Sequence, residues 1–288
     1  MLKINNLSKA FADYPVLSSL NWEVPDGKVF GLIGSNGAGK STLMRCISQV
    51  YDYDGDISLD GAPIADRKEK LFFVSDEPFY FNRFNTSEMR DYYRIFYPDF
   101  DQEYYRHLLE LFHFDEKKPL HLLSRGLKRQ SIIILALSCK PRLILMDESF
   151  DGLDPMVRLT LKRELIKLVD AGETSVIISS HNIRELEDIC DEMALLEKKQ
   201  IAFTQSLEDL RQNYHKVQLG YSQAPAAEVF EKMPVLSYEI NNKVVTVVYH
   251  GDAARQEIEA TEPILFNPLP LSMEEIFVVE MEVSQNEK

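Results

Sequence analysis

Hydrophobic and polar positions alternate with a short period over the first sixty residues. "MLKINNL", "NWEVPDG", "VFGLIG" and "DISLDG" each read as a short strand, punctuated by turns at Pro25-Asp26-Gly27 and Asp60-Gly61. "STLMRCISQV" then shifts to the period of a helix. A strand, a glycine-rich loop and a helix in that order open a nucleotide-binding α/β domain. Two later runs, "LILMD" at 143–147 and "SVIISS" at 175–180, are continuously apolar or small. Such runs suit strands buried on both faces of a parallel sheet, and residues 156–171 read as the helix between them. Helical spacing dominates from Glu88 to Phe114, and aromatic residues crowd the same region: Phe79, Tyr80, Phe81, Phe84, Tyr92, Tyr93, Phe96 and Tyr97. The expectation is a helical insert, about 79–140, with most of these rings forming its core.

Past about residue 205 the texture changes. "KVVTVVYH" is strand-like, "AARQEIEA" helix-like, and "NPLPLSMEEIF" reads as a proline-marked turn into a helix. "VSQNEK" at the end is expected to fray. Residues 206–288 thus read as a small α+β appendage to a larger domain, 1–205. From 205 onward, 6 Lys and Arg stand against 14 Asp and Glu, so this segment carries more than half of the net charge of −14. That charge argues against nonspecific nucleic-acid binding, which needs a basic surface, and the expected partners include no nucleic acid. Cys46, Cys139 and Cys190 lie far apart without metal-ligand spacing and are expected to be reduced, packed thiols. The start of the chain has no apolar leader core, and the longest apolar run, "IIILAL", is too short to span a bilayer. Any membrane role is expected to run through another chain.

The candidate chemistry begins at "GSNGAGKST", residues 34–42, which fits G-x-x-x-x-G-K-[ST]. Gly34, Ser35, Asn36, Gly37, Ala38 and Gly39 form a loop whose amides can turn toward phosphate oxygens. Lys40 can reach the β- and γ-phosphates, Ser41 offers its hydroxyl to Mg²⁺, and Thr42 is placed to bond the α-phosphate. Asp147 ends the buried run "LILMD" and Glu148 follows it. At that place the first acid holds Mg²⁺, and the second can hold the attacking water and take its proton. These two features together indicate a P-loop NTPase. No N-K-x-D stretch is present, which disfavours a GTPase. "LSRGLKRQ", residues 123–130, remains open on its residues alone: an ordinary helix start with Ser124 as cap, or half of a phosphate site.

With the phosphate loop, the signature loop "LSRGLKRQ", "LILMDES", the D-loop "FDGLD" (Phe150–Asp154) and the histidine of "IISSH" (His181) in this order, residues 1 to about 205 resemble the ATP-binding cassette (ABC) family, and "VSDEP" (74–78), "LSRG" and the short helical insert resemble its bacterial antibiotic- and multidrug-export-type subunits. The resemblance implies an α/β P-loop fold with a mixed sheet and a helical subdomain, and an ATPase acting with ATP and Mg²⁺. It implies that Ser124 and Gly126 bind the γ-phosphate of ATP held by the opposite subunit of a head-to-tail dimer, and that His181 contacts γ-phosphate in its own chain. Asp154 would couple the two sites, and Phe11 would stack on adenine, against the alternative of a core strand residue. One or two of the aromatic rings would face the groove for a membrane partner, with Phe79, Tyr80 and Phe81 the best candidates. The implied partners are separate transmembrane permease subunits and a second, identical or related, ATPase, placing the chain at the cytoplasmic face of the cell membrane. Three positions depart from the family's pattern: Arg125 in the signature loop, Ser149 after the catalytic acid, and Asp76 where a glutamine is expected, with Asp76 a candidate holder of Mg²⁺-bound water. The alternative function is a non-transport ABC ATPase acting on ribosomes or DNA.

Overall fold

The computed structural model describes residues 1–77, 79–150, 152–172 and 174–286. It divides into two compact units, Met1–Thr204 and Gln205–Lys288. In chain order the first contains β1 (Leu2–Phe11), β2 (Tyr14–Val24), β3 (Val29–Ile33), α1 (Lys40–Ile47), β4 (Asp54–Leu59), β5 (Ala62–Pro63), β6 (Leu71–Val74), α2 (Thr86–Phe96), α3 (Gln102–Leu111), α4 (Arg125–Ser138), β7 (Leu143–Asp147), α5 (Pro155–Asp170), β8 (Ser175–Ser179), α6 (Ile183–Glu187), β9 (Glu192–Glu197) and β10 (Gln200–Ser206), whose last two residues fall in the second unit.

One sheet runs β2-β1-β4-β5, antiparallel throughout; the other runs β10-β9-β3-β8-β7-β6, with β9, β3, β8, β7 and β6 parallel to one another. Every residue of β3, β7 and β8 is buried, which is why their sequences show no alternation. One core joins both sheets to α1 through residues such as Ile4, Leu32, Leu43, Met44, Leu145 and Leu196. β1 and β2 are longer than their sequence fragments suggested, because they continue into a hairpin around Ala12-Asp13.

The insert between β6 and β7 is helical: α2 and α3 divide the stretch of helical spacing over 88–114 between them, and α4 follows. Pro98 bars continuation of α2, and Asp101 starts α3 by accepting a bond from the Tyr104 amide at 2.8 Å. Asn85 opens α2 with a capping box: its Oδ1 accepts from the Glu88 amide, and Glu88 accepts from the Asn85 amide. The aromatic residues there do not form a buried core. None of the eight is fully buried, and Phe79 is 67% exposed. Instead the rings of Phe79, Phe81, Phe84, Tyr92 and Phe96 touch in a half-exposed chain, with centroids 4.7–5.2 Å apart. Helical periodicity specifies a face but not whether something covers it.

The second unit contains α7 (Leu207–Asn213), β11 (Tyr214–Gly220), α8 (Ala227–Glu231), β12 (Val235–Asn241), β13 (Val244–His250), α9 (Gly251–Glu259), β14 (Leu265–Leu269) and α10 (Met273–Asn286). From β11 to β14 the order is βαββαβ, and the sheet β12-β13-β11-β14 is antiparallel throughout, the split βαβ, ferredoxin-like arrangement. Val217, Leu219, Val245 and Val247 on one face pack with Phe230 of α8 and Ile258 of α9. Asn267, Pro268 and Leu269 belong to the edge strand β14, where proline is tolerated because the outward amide needs no partner, and the turn into the helix is confined to Pro270–Ser272. The terminal stretch is helical through Asn286; Glu287 and Lys288, to which the expectation of fraying also applied, lie outside the described residues. All three cysteines are buried and unbridged, and burial pushes each thiol up, Cys46 to about 11.

Candidate active site

Three neighbouring parallel strands carry the site. Leu32 of β3 pairs with Ser179 of β8, and Ser179 pairs with Asp147 of β7. The phosphate loop therefore leaves its strand two ladder spacings, about 10 Å, from Asp147, at the carboxyl ends where α/β sheets bind ligands.

The loop 34–39 delivers the chain into α1. Gly39, at φ 110°, is the cap residue, and no side chain satisfies the first amides of the helix. This left-handed turn favours glycine, and the exposed amides and helix dipole suit an anion. Asn36 and Gly37 are exposed at the loop tip, while Ala38 donates back to Ser35 O at 3.1 Å. Ser35 Oγ donates to Glu197 at 3.1 Å, fastening the loop to the end of β9. Lys40 is only 8% exposed; its Nζ reaches back to the carbonyl oxygens of Gly34 and Ser35 at 2.7 and 3.2 Å. Burial lowers its pKa against the raising influence of Glu148, Asp147 and Glu197. Thr42 is half-buried in the first turn.

Asp147 is fully buried. Its Oδ1 accepts from Ser179 Oγ at 2.6 Å and Ser41 Oγ at 3.1 Å. Its Oδ2 is buried with no hydrogen-bond partner. A buried carboxylate oxygen without a partner is costly, and beside the Ser41 hydroxyl it is the donor set a hard divalent cation takes. The residues present therefore fit Mg²⁺, and Ser41 and Asp147 are those that would hold it.

Glu148 has φ +46°, an unusual conformation for a side-chain-bearing residue. Its amide donates to the carbonyl of Ser179 at 3.1 Å and to its hydroxyl at 3.2 Å, which holds the turn. Its carboxylate lies 3.8 Å from His181 Nδ1. Ser149, where the family has proline, donates its hydroxyl to Val74 O at 3.2 Å and ties β7 to β6.

Asp76 follows β6. Its carboxylate accepts from Arg45 of α1 at 3.1 Å, and its carbonyl from buried Arg129 of α4 at 2.8 Å. The candidate holder of metal-bound water is therefore ion-paired to a cation on the helix that follows the phosphate loop. Phe11 closes the β1–β2 hairpin opposite Tyr14 and is 43% exposed, so it is not a core residue. Its ring meets Tyr51 edge-on at 5.3 Å, with Lys9 5.2 Å from its centroid.

Ser124 is exposed and caps α4, accepting the Leu127 amide at 3.3 Å. No hydrogen bond among the described residues joins Ser124 or Gly126 to the phosphate loop. A Cβ at Gly126 would sit 2.5 Å from the carbonyl oxygen of Gly152, so the signature loop and the D-loop of one chain lie in van der Waals contact. Asp154 caps α5 through its carboxylate, accepting from the Met156 amide at 2.9 Å. Asp151 of the D-loop and Pro78 of "VSDEP" lie outside the described residues.

Sequence reasoning missed Ser179, Arg129 and Glu197. Ser179 ends the small-residue run "SVIISS", but its role depends on β8 lying between β3 and β7, which only strand order reveals.

A parallel sheet with a phosphate loop, an aligned acid and a second acid beside a histidine defines a P-loop ATPase. A family profile described as ABC transporter matches residues 17–151. The chain is 28% identical to the ABC transporter ATP-binding protein YtrB of Bacillus subtilis, over 96% of this chain and 97% of that one. It is 30% identical to the methionine import ATP-binding protein MetN of Clostridium acetobutylicum, over 73% of this chain and 70% of that one. It is 26% identical to the bacitracin transport ATP-binding protein BcrA of Enterococcus faecalis, over 75% and 72%. A solved ATP-binding subunit of an ABC transporter superposes with a TM-score of 0.68 at 25% identity, covering 74% of this chain and 92% of that one. The chain belongs to the ABC transporter ATP-binding family: it is an ATP-binding subunit of an ABC transporter and hydrolyses ATP.

Proposed function

We propose that the chain powers export as one half of a head-to-tail ATPase dimer, attached at the cytoplasmic face of the membrane to separate transmembrane permease subunits. The observation that carries the dimer is the split between two sets of groups. Lys40, Ser41, Asp147, Glu148 and His181 are supplied by the carboxyl-end region of one sheet, while Ser124 stands exposed at a helix start with no bond to the phosphate loop. In the dimer Ser124 and Gly126 donate to the γ-phosphate of ATP on the partner's loop, and the partner is an identical or a related subunit.

Within a site the loop amides and Lys40 hold the phosphates, and Phe11 offers its exposed face to adenine. Mg²⁺, held by Ser41 and Asp147, screens the phosphate charge when bound. Glu148 accepts the proton of the water whose oxygen attacks the γ-phosphorus, ADP leaves, and phosphate is the second product. His181, beside Glu148, orients the γ-phosphate. Asp154 and the D-loop, in contact with the signature loop through Gly152 and Gly126, link the state of one site to the other. The motor is residues 1–205, and 206–288 is an accessory unit.

Export rather than import is supported by "VSDEP" and "LSRG", which resemble export-type subunits; the methionine import relative supports the opposite direction. Among the described residues no helix is long and apolar enough to cross a membrane. The test is light scattering on Glu148→Gln with saturating Mg-ATP. A stable dimer supports the reading, and a persistent monomer counts against it.

A further inference from the structure

The acidic second unit contains a cationic pocket. A cavity of about 300 Å³ opens on its sheet beside edge strand β14, the lower end of the range for small-molecule sites. Arg211 of α7, His215 and Lys216 of β11 and Arg255 of α9 line it, over a floor that includes Tyr249 and Phe266. Two arginines of the six Lys and Arg found beyond residue 204 meet at this concavity, with Lys216 shared between it and a second cavity lined by Glu274 and Glu275, and among the described residues no carboxylate lines it.

The charges around it are unequal. Arg255 pairs with Glu259 at 2.9 Å and Lys216 with Glu275 at 2.7 Å, so carboxylates behind the rim orient both cations. Arg211 has no ion pair or hydrogen bond among the described residues. Below them Tyr249 is 2% exposed and lies ring to ring with His215, centroids 5.2 Å apart. The Tyr249 hydroxyl also has no hydrogen-bond partner among the described residues. An arginine fork recognises carboxylate and phosphate oxygens, and a floor of rings takes a flat apolar body.

We infer that this pocket binds a small organic anion, a flat apolar body carrying one carboxylate or phosphate, with the anion at Arg211 and Arg255 and the body against Tyr249 and Phe266. The site lies wholly within the Gln205–Lys288 unit and uses no residue of the ATPase site.

The test is calorimetry on the full chain saturated with Mg-ADP, so that the phosphate loop does not compete for the probes. Benzoate and phenyl phosphate are titrated, with phenol and inorganic phosphate as controls. The expected result is saturable one-to-one binding of benzoate, phenyl phosphate or both, at least about tenfold tighter than either control, because both the ring and the charge are used. The benzoate and phenyl phosphate arms separate a carboxylate ligand from a phosphate one. Arg211→Glu should weaken binding at least about tenfold while leaving ATP turnover unchanged, and Arg255→Gln should weaken it independently. No saturable binding of either probe, phenol binding as tightly as both, or wild-type affinity in both variants would overturn the inference.

Discussion

Glu148 occupies a conformation that side chains avoid, and two bonds from its amide to Ser179 keep it there. The same hydroxyl donates to Asp147 at 2.6 Å, so one small residue positions both acids. Ser179→Ala should cost about 1–2 kcal/mol of stability by removing a donor from a buried carboxylate. It should also lower turnover about tenfold with ATP affinity nearly unchanged, read from denaturant melts and steady-state kinetics. Unchanged turnover would remove Ser179 from a positioning role. Lys40→Ala should sharply weaken ATP binding in a nucleotide titration; wild-type affinity would contradict its assignment to the phosphates. Gly126→Ala places a methyl against the Gly152 carbonyl and should reduce hydrolysis more than ATP binding. Equal turnover would mean the contact between signature and D-loop has slack. The phosphate loop and the acid pair were legible in the sequence because each is a fixed spacing along a continuous stretch, whereas the signature loop read as a helix start until the family resemblance gave it a role. Arg45 taking the Asp76 carboxylate was not, because α1 and the loop after β6 meet only once the sheet has formed.

At the scale of elements, buried strands and capped helices announced themselves through continuous apolar runs and residues such as Ser124. Two things did not. β14 carries Pro268, which sequence rules assign to a turn, yet an edge position accommodates it. The aromatic chain from Phe79 to Phe96 shows helical spacing without burial, because periodicity is blind to what covers a face. In the second unit, Glu275 at the start of α10 has its carboxyl held down to about 2, first by the Lys216 ammonium and then by the Ser272 amide. A depressed carboxyl stabilises the fold above its unfolded pKa of 4.5 and loses that contribution as the pH falls toward 2. Melting of the second unit in the wild type should therefore weaken more between pH 5 and pH 2 than in Glu275→Gln. Identical pH slopes would show that the pair contributes nothing. The effect is modest, since both partners are partly open to water.

For the whole molecule the central claim is that neither chain holds a complete site. Each supplies its phosphate loop and acids to one ATP and its Ser124 to the other. The measurement that tests this most directly is a mixing experiment with two inactive variants, Lys40→Ala and Ser124→Arg. Each should be nearly inactive alone, the first for want of a phosphate lysine, the second because a bulky cation blocks its partner's site. In a mixed dimer one site joins the intact loop of the Ser124→Arg chain to the intact signature of the Lys40→Ala chain. If chains exchange freely and sites act independently, an equal mixture should recover up to about a quarter of wild-type hydrolysis, since half the dimers are mixed and each has one of two sites intact. No recovery, with mixed dimers demonstrably formed, would contradict a site shared between chains.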